Sequence, residues 1–171
     1  MSVRPDHLRR NLSRYRKKIQ ALGSVKFAIS NSPDTELMNA LIQLHRGRWA
    51  KSGQNGMIEA NRSEKFLREA AEMLGSSGLL RIFSLRLADR IVSILLAFTH
   101  QATIFPSLSG FDARYERLGL GHELLAHALS YTHEFRYRHW NFLRGSEPYK
   151  FDWGARTVAK SRLVILPQDG S

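Results

Sequence analysis

The stretch Tyr115-Glu116-Arg117-Leu118-Gly119-Leu120-Gly121-His122-Glu123-Leu124-Leu125 combines residues suited to holding an anion. Two glycines at the start of an amphipathic helix leave backbone N–H groups uncovered, and the helix dipole favours negative charge at that end. A pyrophosphate needs this arrangement. An ordinary glycine-containing loop has the same sequence, so the surrounding elements must decide between the two. Other chemistries fail on spacing. In His122-Glu123-Leu124-Leu125-Ala126-His127 the histidines are five apart, and a helix turns them roughly 140° away from each other, so they miss the shared face of a zinc signature. Ser107 and Ser109 lack the glycine context of a nucleophile elbow, which leaves a serine hydrolase unsupported. With no cysteine in the chain, thiolate nucleophiles, thiolate metal sites and disulfides drop out.

The elements that must position the glycine pair are legible from periodicity. Leu8, Leu12, Tyr15, Ile19 and Leu22 draw one apolar stripe down a basic helix that Gly23 stops. Residues 25–29 read as a strand. Ser32-Pro33-Asp34 then opens a helix bearing Leu37, Leu41 and Leu44 and, one position round, Met38, Ile42, His45 and Trp49, with its end near Lys51-Ser52-Gly53. After a polar loop over 54–62, Asn61 and Glu64 resemble a capping box for a third helix on Phe66, Leu67, Ala70, Met73 and Leu74. The period then changes to two. Residues 80–87, 91–100 and 102–110 form successive antiparallel strands, the second almost wholly apolar and therefore central. Pro106 predicts an edge or a bulge in the third. A fourth helix over 119–135, with Leu120, Leu124, Ala128, Tyr131 and Phe135 on one face, leads to a short strand over 139–143. The order strand, long helix, adjacent strand implies a parallel crossover, and ligands in such sheets bind outside the carboxyl ends of strands. A helical turn near 148–153 and a closing strand over 162–166 complete the expected mixed sheet.

At 171 residues and 43% hydrophobic, the chain has room for one α/β domain with an appendage. The formal charge is +11, of which residues 1–18 hold +6, so a strongly basic helix (1–22) precedes a body (23–171) that carries only +5. Such an arm is a solvated face, a polyanion or membrane contact, or a strap on a neighbouring acidic domain. No apolar run approaches the roughly 20 residues needed to span a bilayer and no signal-peptide centre is present, so a cytoplasmic protein is expected.

The order of elements and the Gly119-x-Gly121 pair resemble the GNAT acyltransferases, whose motif Gln/Arg-x-x-Gly-x-Gly/Ala opens the helix after the fourth strand. The first motif position falls on Glu116 instead, with Arg117 one step later. More narrowly, Ser109-Gly110-Phe111-Asp112, Phe142-Leu143-Arg144-Gly145, Glu147-Pro148-Tyr149-Lys150 and Trp153-Gly154-Ala155 resemble the bacterial CelD-like acetyltransferase family, as do the openings RRNLSRYRKKIQALG and LHRGRWAKSG.

The resemblance implies an α/β GNAT fold with a mixed, mostly antiparallel sheet flanked by helices. It implies direct attack of an amine or hydroxyl on the thioester of acetyl-CoA or another acyl-CoA, without metal, the acceptor being a small molecule or carbohydrate. Ser109, Gly110, Phe111, Arg117, Leu118, Gly119, Leu120, Gly121 and His122 are then the expected cofactor contacts. Tyr149 is expected to protonate the leaving thiolate, with Glu147 or Asp112 as the base. A tyrosine that anchors the last helix, and an Asp112 that caps a turn, are the structural alternatives. Arg144 and Lys150 either position an anionic group or are paired at the surface. His45 and Trp49 either face substrate or belong to the core. Relatives commonly carry another GNAT-like half upstream, so an upstream domain or a homodimer is an expected partner, while nucleic acid is not. Two other functions stay open. One is a Fem-like transferase using aminoacyl-tRNA, with the basic arm on phosphates; the other is a non-catalytic module of the same fold.

Overall fold

The computed structural model describes residues 6–51, 58 and 61–159; the strand expected over 162–166 lies outside them. Helix α1 (Asp6–Gln20) buries Leu8, Leu12 and Ile19, with Tyr15 half-buried in the same row. Arg9, Arg10, Arg14, Lys17 and Lys18 stay in water. Leu22, expected to extend the stripe, is exposed because the helix has ended and the chain turns through Gly23. The stripe lies on helix α4 (Leu120–Glu134). Leu8 and Leu12 cluster with Ala126 and Trp153, and Ile19 enters the sheet core beside Leu120 and Leu124. Arg16 reaches Glu123, a carboxylate buried to 2% exposure, at 3.3 Å. Breaking such a pair strands a buried charge.

The sheet runs β1 (Val25–Ser30), β2 (Leu80–Leu87), β3 (Arg90–His100), β4 (Thr103–Phe111), β5 (His139–Trp140) in that spatial order, antiparallel except for β4 and β5. β3 is the middle strand. Its residues serve two cores: Val92, Leu95 and Ala97 pack under α1 and α4, and Ile94 and Leu96 under helices α2 (Thr35–Lys51) and α3 (Asn61–Ser76), the alternation being shifted at Val92 by a bulge opposite Leu85 and Arg86. Burial on both faces is why this segment reads as a continuous apolar run. The Pro106 irregularity is present: Leu96 pairs with Leu108 and Ala97 with Pro106, which leaves Ser107 without a partner in β3.

Helix α3 is rotated from expectation. Phe66 and Met73 point outward at 71% and 72% exposure, and the helix rests on the row Leu67, Ala71, Leu74. Arg68 explains the rotation, since it donates to Asn39 on α2 at 2.7 Å and to Glu64 on its own helix, and that pair must lie near α2.

Helix α2 crosses β4 at very short range. A Cβ on Gly110 would stand 2.5 Å from the His45 backbone nitrogen and 2.7 Å from the Leu44 carbonyl carbon, so glycine is what permits the contact. Gly110→Ala should therefore displace α2 and lower the stability of the domain by about 1–3 kcal/mol, as overpacking does. A urea titration checks this; an unshifted midpoint would mean that α2 is not held there.

Candidate active site

The crossover from β4 to β5 passes through a 3-10 turn, Ala113–Leu118, and then α4. Strand β5 is shorter than the expected 139–143. Only Thr103 and Ile104 of β4 pair with it, and the Asn141 N–H to Ile104 C=O bond closes the ladder. Beyond that point β4 continues to Phe111 while the other chain departs, and a wedge opens between the strands. The Asp112 N–H donates to Val92 C=O on the β3 side, so by alternation the N–H groups of Ser109 and Phe111 face the wedge.

Helix α4 starts at the wedge. Gly119 has φ +64° and ψ +31°, a left-handed conformation that ends the 3-10 turn and aims the new helix. Tyr15 of α1 packs where a Gly119 Cβ would be. The first helical bond is Glu123 N–H to Gly119 C=O, which leaves the amides of Leu120, Gly121 and His122 without an acceptor inside the helix. Beside Gly121 there is room, since a Cβ there would meet nothing nearer than Phe111 at 4.0 Å.

These groups border a cavity of about 330 Å³. Ser109, Gly110 and Phe111 form one wall and Gly119 to His122 the opposite one; Trp140, Phe142 and Tyr149 lie on the β5 side, and Leu124 and Leu125 contribute apolar surface. Tyr149 is on the short helix α5 (Pro148–Asp152). Burial pushes its phenol above the ordinary tyrosine value, so it holds its proton at neutral pH. The His122 ring lies nearly parallel to those of Tyr15 and Trp153, with ring centroids 6.1 and 6.2 Å away, and the Trp153 indole N–H donates to its Nδ1 at 3.2 Å.

Other expected site residues lie elsewhere. Asp112 caps the 3-10 turn, accepting from the Arg114 N–H at 3.0 Å and from the Arg114 guanidinium, which holds its carboxyl below the usual range. It does not border the cavity, and neither does Glu147, an exposed carboxylate paired with Lys150 at 2.8 Å. Lys150 is itself buried. Its ammonium also donates to the Arg144 and Gly145 carbonyls and so ties down the loop that precedes Tyr149. Arg144 is exposed, and Arg117 and Leu118 sit on the 3-10 turn outside the cavity lining. His45 is buried and donates through Nδ1 to the Ser109 carbonyl at 2.9 Å, with Trp49 against its ring at 6.0 Å. It holds α2 to the wedge strand and is not part of the lining.

Two charged lining residues escaped the sequence reading as site members. Arg48 places its guanidinium 5.1 Å over the Phe111 ring and 5.7 Å over Trp49, and Glu116 borders the same cavity. The signal for Arg48 was its position one turn after His45 on α2, which marks a residue only once α2 is known to cross β4.

Burial holds His45, His122 and His127 below the ordinary histidine pKa. Their unfolded value is about 6.5, so below that pH the unfolded chain takes up protons that the folded chain refuses. Stability is then full above about pH 6.5 and is lost as pH falls toward the folded values. The urea midpoint should be lower at pH 5.5 than at pH 7.5; an equal or higher midpoint contradicts the neutral burial of these rings.

A curled, mixed five-stranded sheet, with a wedge at its parallel pair and a helix start opening into that wedge, defines the fold of acyl-CoA-dependent transferases. A family model described as acetyltransferase (GNAT) domain matches residues 6–151, and the chain belongs to that family. No curated protein matches the sequence. Solved structures with this fold include an aminoglycoside acetyltransferase from an uncultured soil metagenomic sample in complex with sisomicin (TM-score 0.54, 16% identity, 90% of this chain and 99% of that one). A predicted acetyltransferase with acetyl-CoA from Clostridium acetobutylicum is also similar (TM-score 0.61, 10% identity, 83% and 96%). So is a GNAT family acetyltransferase from Staphylococcus aureus (TM-score 0.56, 14% identity, 84% and 99%). At these identities the likeness is one of fold.

Proposed function

We propose that the chain transfers an acetyl group from acetyl-CoA to an amine or hydroxyl of a sugar or other small molecule, within the CelD-like branch of its family. The observation that carries this reading is the open amide end of α4, with Gly121 bare, at the parting of β4 and β5. A diphosphate fits there, since three aligned N–H groups and the helix dipole attract it and no side chain at 121 bars it. Acetyl-CoA supplies an acyl group already activated as a thioester. The chain's own groups do the rest: the Ser109 and Phe111 amides stabilise negative charge on the acyl oxygen, and the protonated Tyr149 hydroxyl donates to the departing sulfur. With Asp112 and Glu147 committed to ion pairs outside the cavity, the acceptor amine enters unprotonated or gives its proton to solvent.

An amino-sugar acceptor is favoured, since the sisomicin-bound neighbour is an aminoglycoside acetyltransferase and shares the wedge fold over nearly its full length. The test is calorimetry with acetyl-CoA, followed by mass spectrometry of a panel of amines, amino sugars and sugars. Saturable binding and a product heavier by one acetyl group are expected. Absence of acetyl-CoA binding by folded protein overturns the reading.

A further inference from the structure

The Trp153-Gly154-Ala155 segment has no part in the function derived so far, yet Trp153 reaches back to the first turn of α4. An indole nitrogen can only donate. For the 3.2 Å contact to be a hydrogen bond, His122 Nδ1 must therefore offer a lone pair, and the neutral ring must carry its proton on Nε2. The doubly protonated ring would face the indole donor to donor. Burial independently holds His122 below the ordinary histidine pKa, against the smaller opposing influence of Asp152.

The ring has little freedom to turn. Tyr15 and Trp153 lie nearly parallel to it, each at 18°, and Tyr149 presents an edge contact at 86° and 6.5 Å. Two separate parts of the chain, α1 through Tyr15 and the α5 segment through Tyr149 and Trp153, thus fix a ring that borders the cavity. Among the described residues His122 Nε2 has no hydrogen-bond partner, and it is not sealed from solvent.

The acceptor such a donor would meet follows from what the site lacks. Glu116 stands where the family motif has a basic or amide side chain, and it borders the cavity, so the anion end has an acid in place of a donor. His122 sits in the first turn of α4 beside bare Gly121. We propose that Trp153 is a positioning residue: by donating to His122 Nδ1 it fixes the Nε2–H form, and this side-chain donor joins the three backbone amides in holding the pyrophosphate of acyl-CoA. The inference rests on the acyl-CoA reading above.

The test uses the whole chain and three variants. Nitrogen-15 NMR of the imidazoles, with His122 assigned by its disappearance in H122Q, should show Nε2 protonated and Nδ1 bare near neutral pH. In W153F that signature should become a mixture of tautomers. Calorimetry with coenzyme A should show about a tenfold loss in W153F and in H122L, the scale of one hydrogen bond to a charged group. H122Q, whose amide N–H can stand in for Nε2–H, should bind within about threefold of the parent chain. The W153F and H122L deficits should vanish when acetyl-pantetheine, which has no pyrophosphate, replaces acetyl-CoA as the donor, and the acceptor KM should not move.

Coenzyme A binding by the parent chain with equal losses for both donors overturns the inference while leaving the transferase reading intact. So does a His122 with its proton on Nδ1. No coenzyme A binding by the parent chain overturns both. Should W153F prove unfolded in a thermal melt, H122L and H122Q, which keep Trp153, decide: equal affinity in the two removes the Nε2 donor from the site.

Discussion

Gly121→Leu should leave the fold intact and abolish acyl-CoA binding, with an affinity loss beyond a hundredfold by calorimetry. The fold survives because Gly121 is an exposed first-turn residue whose added Cβ meets only Phe111 at 4.0 Å, and because leucine is a better helix former than glycine by up to about 1 kcal/mol. Binding fails because the new side chain occupies the space through which a diphosphate would approach the amides of Leu120, Gly121 and His122. Gly121→Ala is the graded control: one methyl at ordinary contact distance should cost binding far less. Undiminished affinity in Gly121→Leu would place the pyrophosphate somewhere other than the start of α4. Gly119 would not serve as the test, since its left-handed backbone and the Tyr15 ring make any replacement there a folding defect first.

That contrast between the two glycines also shows what could be read before the structure. Their presence at a helix start was plain from the strand-helix-strand order, because periodicity is a property of contiguous residues. The different work of each was not, because Tyr15 lies more than a hundred residues away in the chain. The central position of β3, the Pro106 bulge and the parallel crossover were likewise legible, each following from a local pattern. The rotation of α3 was not. Phe66 and Met73 satisfy a helical period as well as Leu67, Ala71 and Leu74 do, and Arg68 bonding to Asn39 on another helix chose between the two faces.

The candidate site divides the same way. Residues whose backbone borders the wedge, Ser109 to Phe111 and Gly119 to Gly121, came from two short contiguous motifs and lie together. Charged side chains were harder, because a charge reads the same in sequence whether it meets substrate or a neighbour. Lys150 is the clearest instance. As part of Glu147-Pro148-Tyr149-Lys150 it stands next to the tyrosine, yet its ammonium turns into the loop and binds the Arg144 and Gly145 carbonyls and Glu147. The segment Phe142 to Lys150 thus has a physical logic as a unit: a buried cation folds the loop around itself and leaves Tyr149 facing the cavity. Arg48 is the converse, an unremarked surface arginine until α2 is seen crossing β4.

In the proposed reaction the chemical step rests on that tyrosine. Tyr149→Phe should lower kcat by about 10²–10⁴, the range for loss of a positioned acid, and leave the KM for acetyl-CoA within about twofold. The ring stays, and with it the edge contacts to His122 and Phe142, so binding surface and stability are conserved. Only the hydroxyl goes. Because burial raises its pKa, the group is fully protonated at pH 7 and the parent rate should not fall on the alkaline side until pH passes the ordinary tyrosine range. In the variant that alkaline limb should be absent. The leaving group supplies a further discriminator. A thioester whose thiol is strongly acidic needs no proton on departure, so with an aryl thioester as acyl donor Tyr149→Phe should approach the parent rate. A rate unaffected with acetyl-CoA itself would mean that Tyr149 only shapes the wall beside His122, and that the departing sulfur takes its proton from solvent.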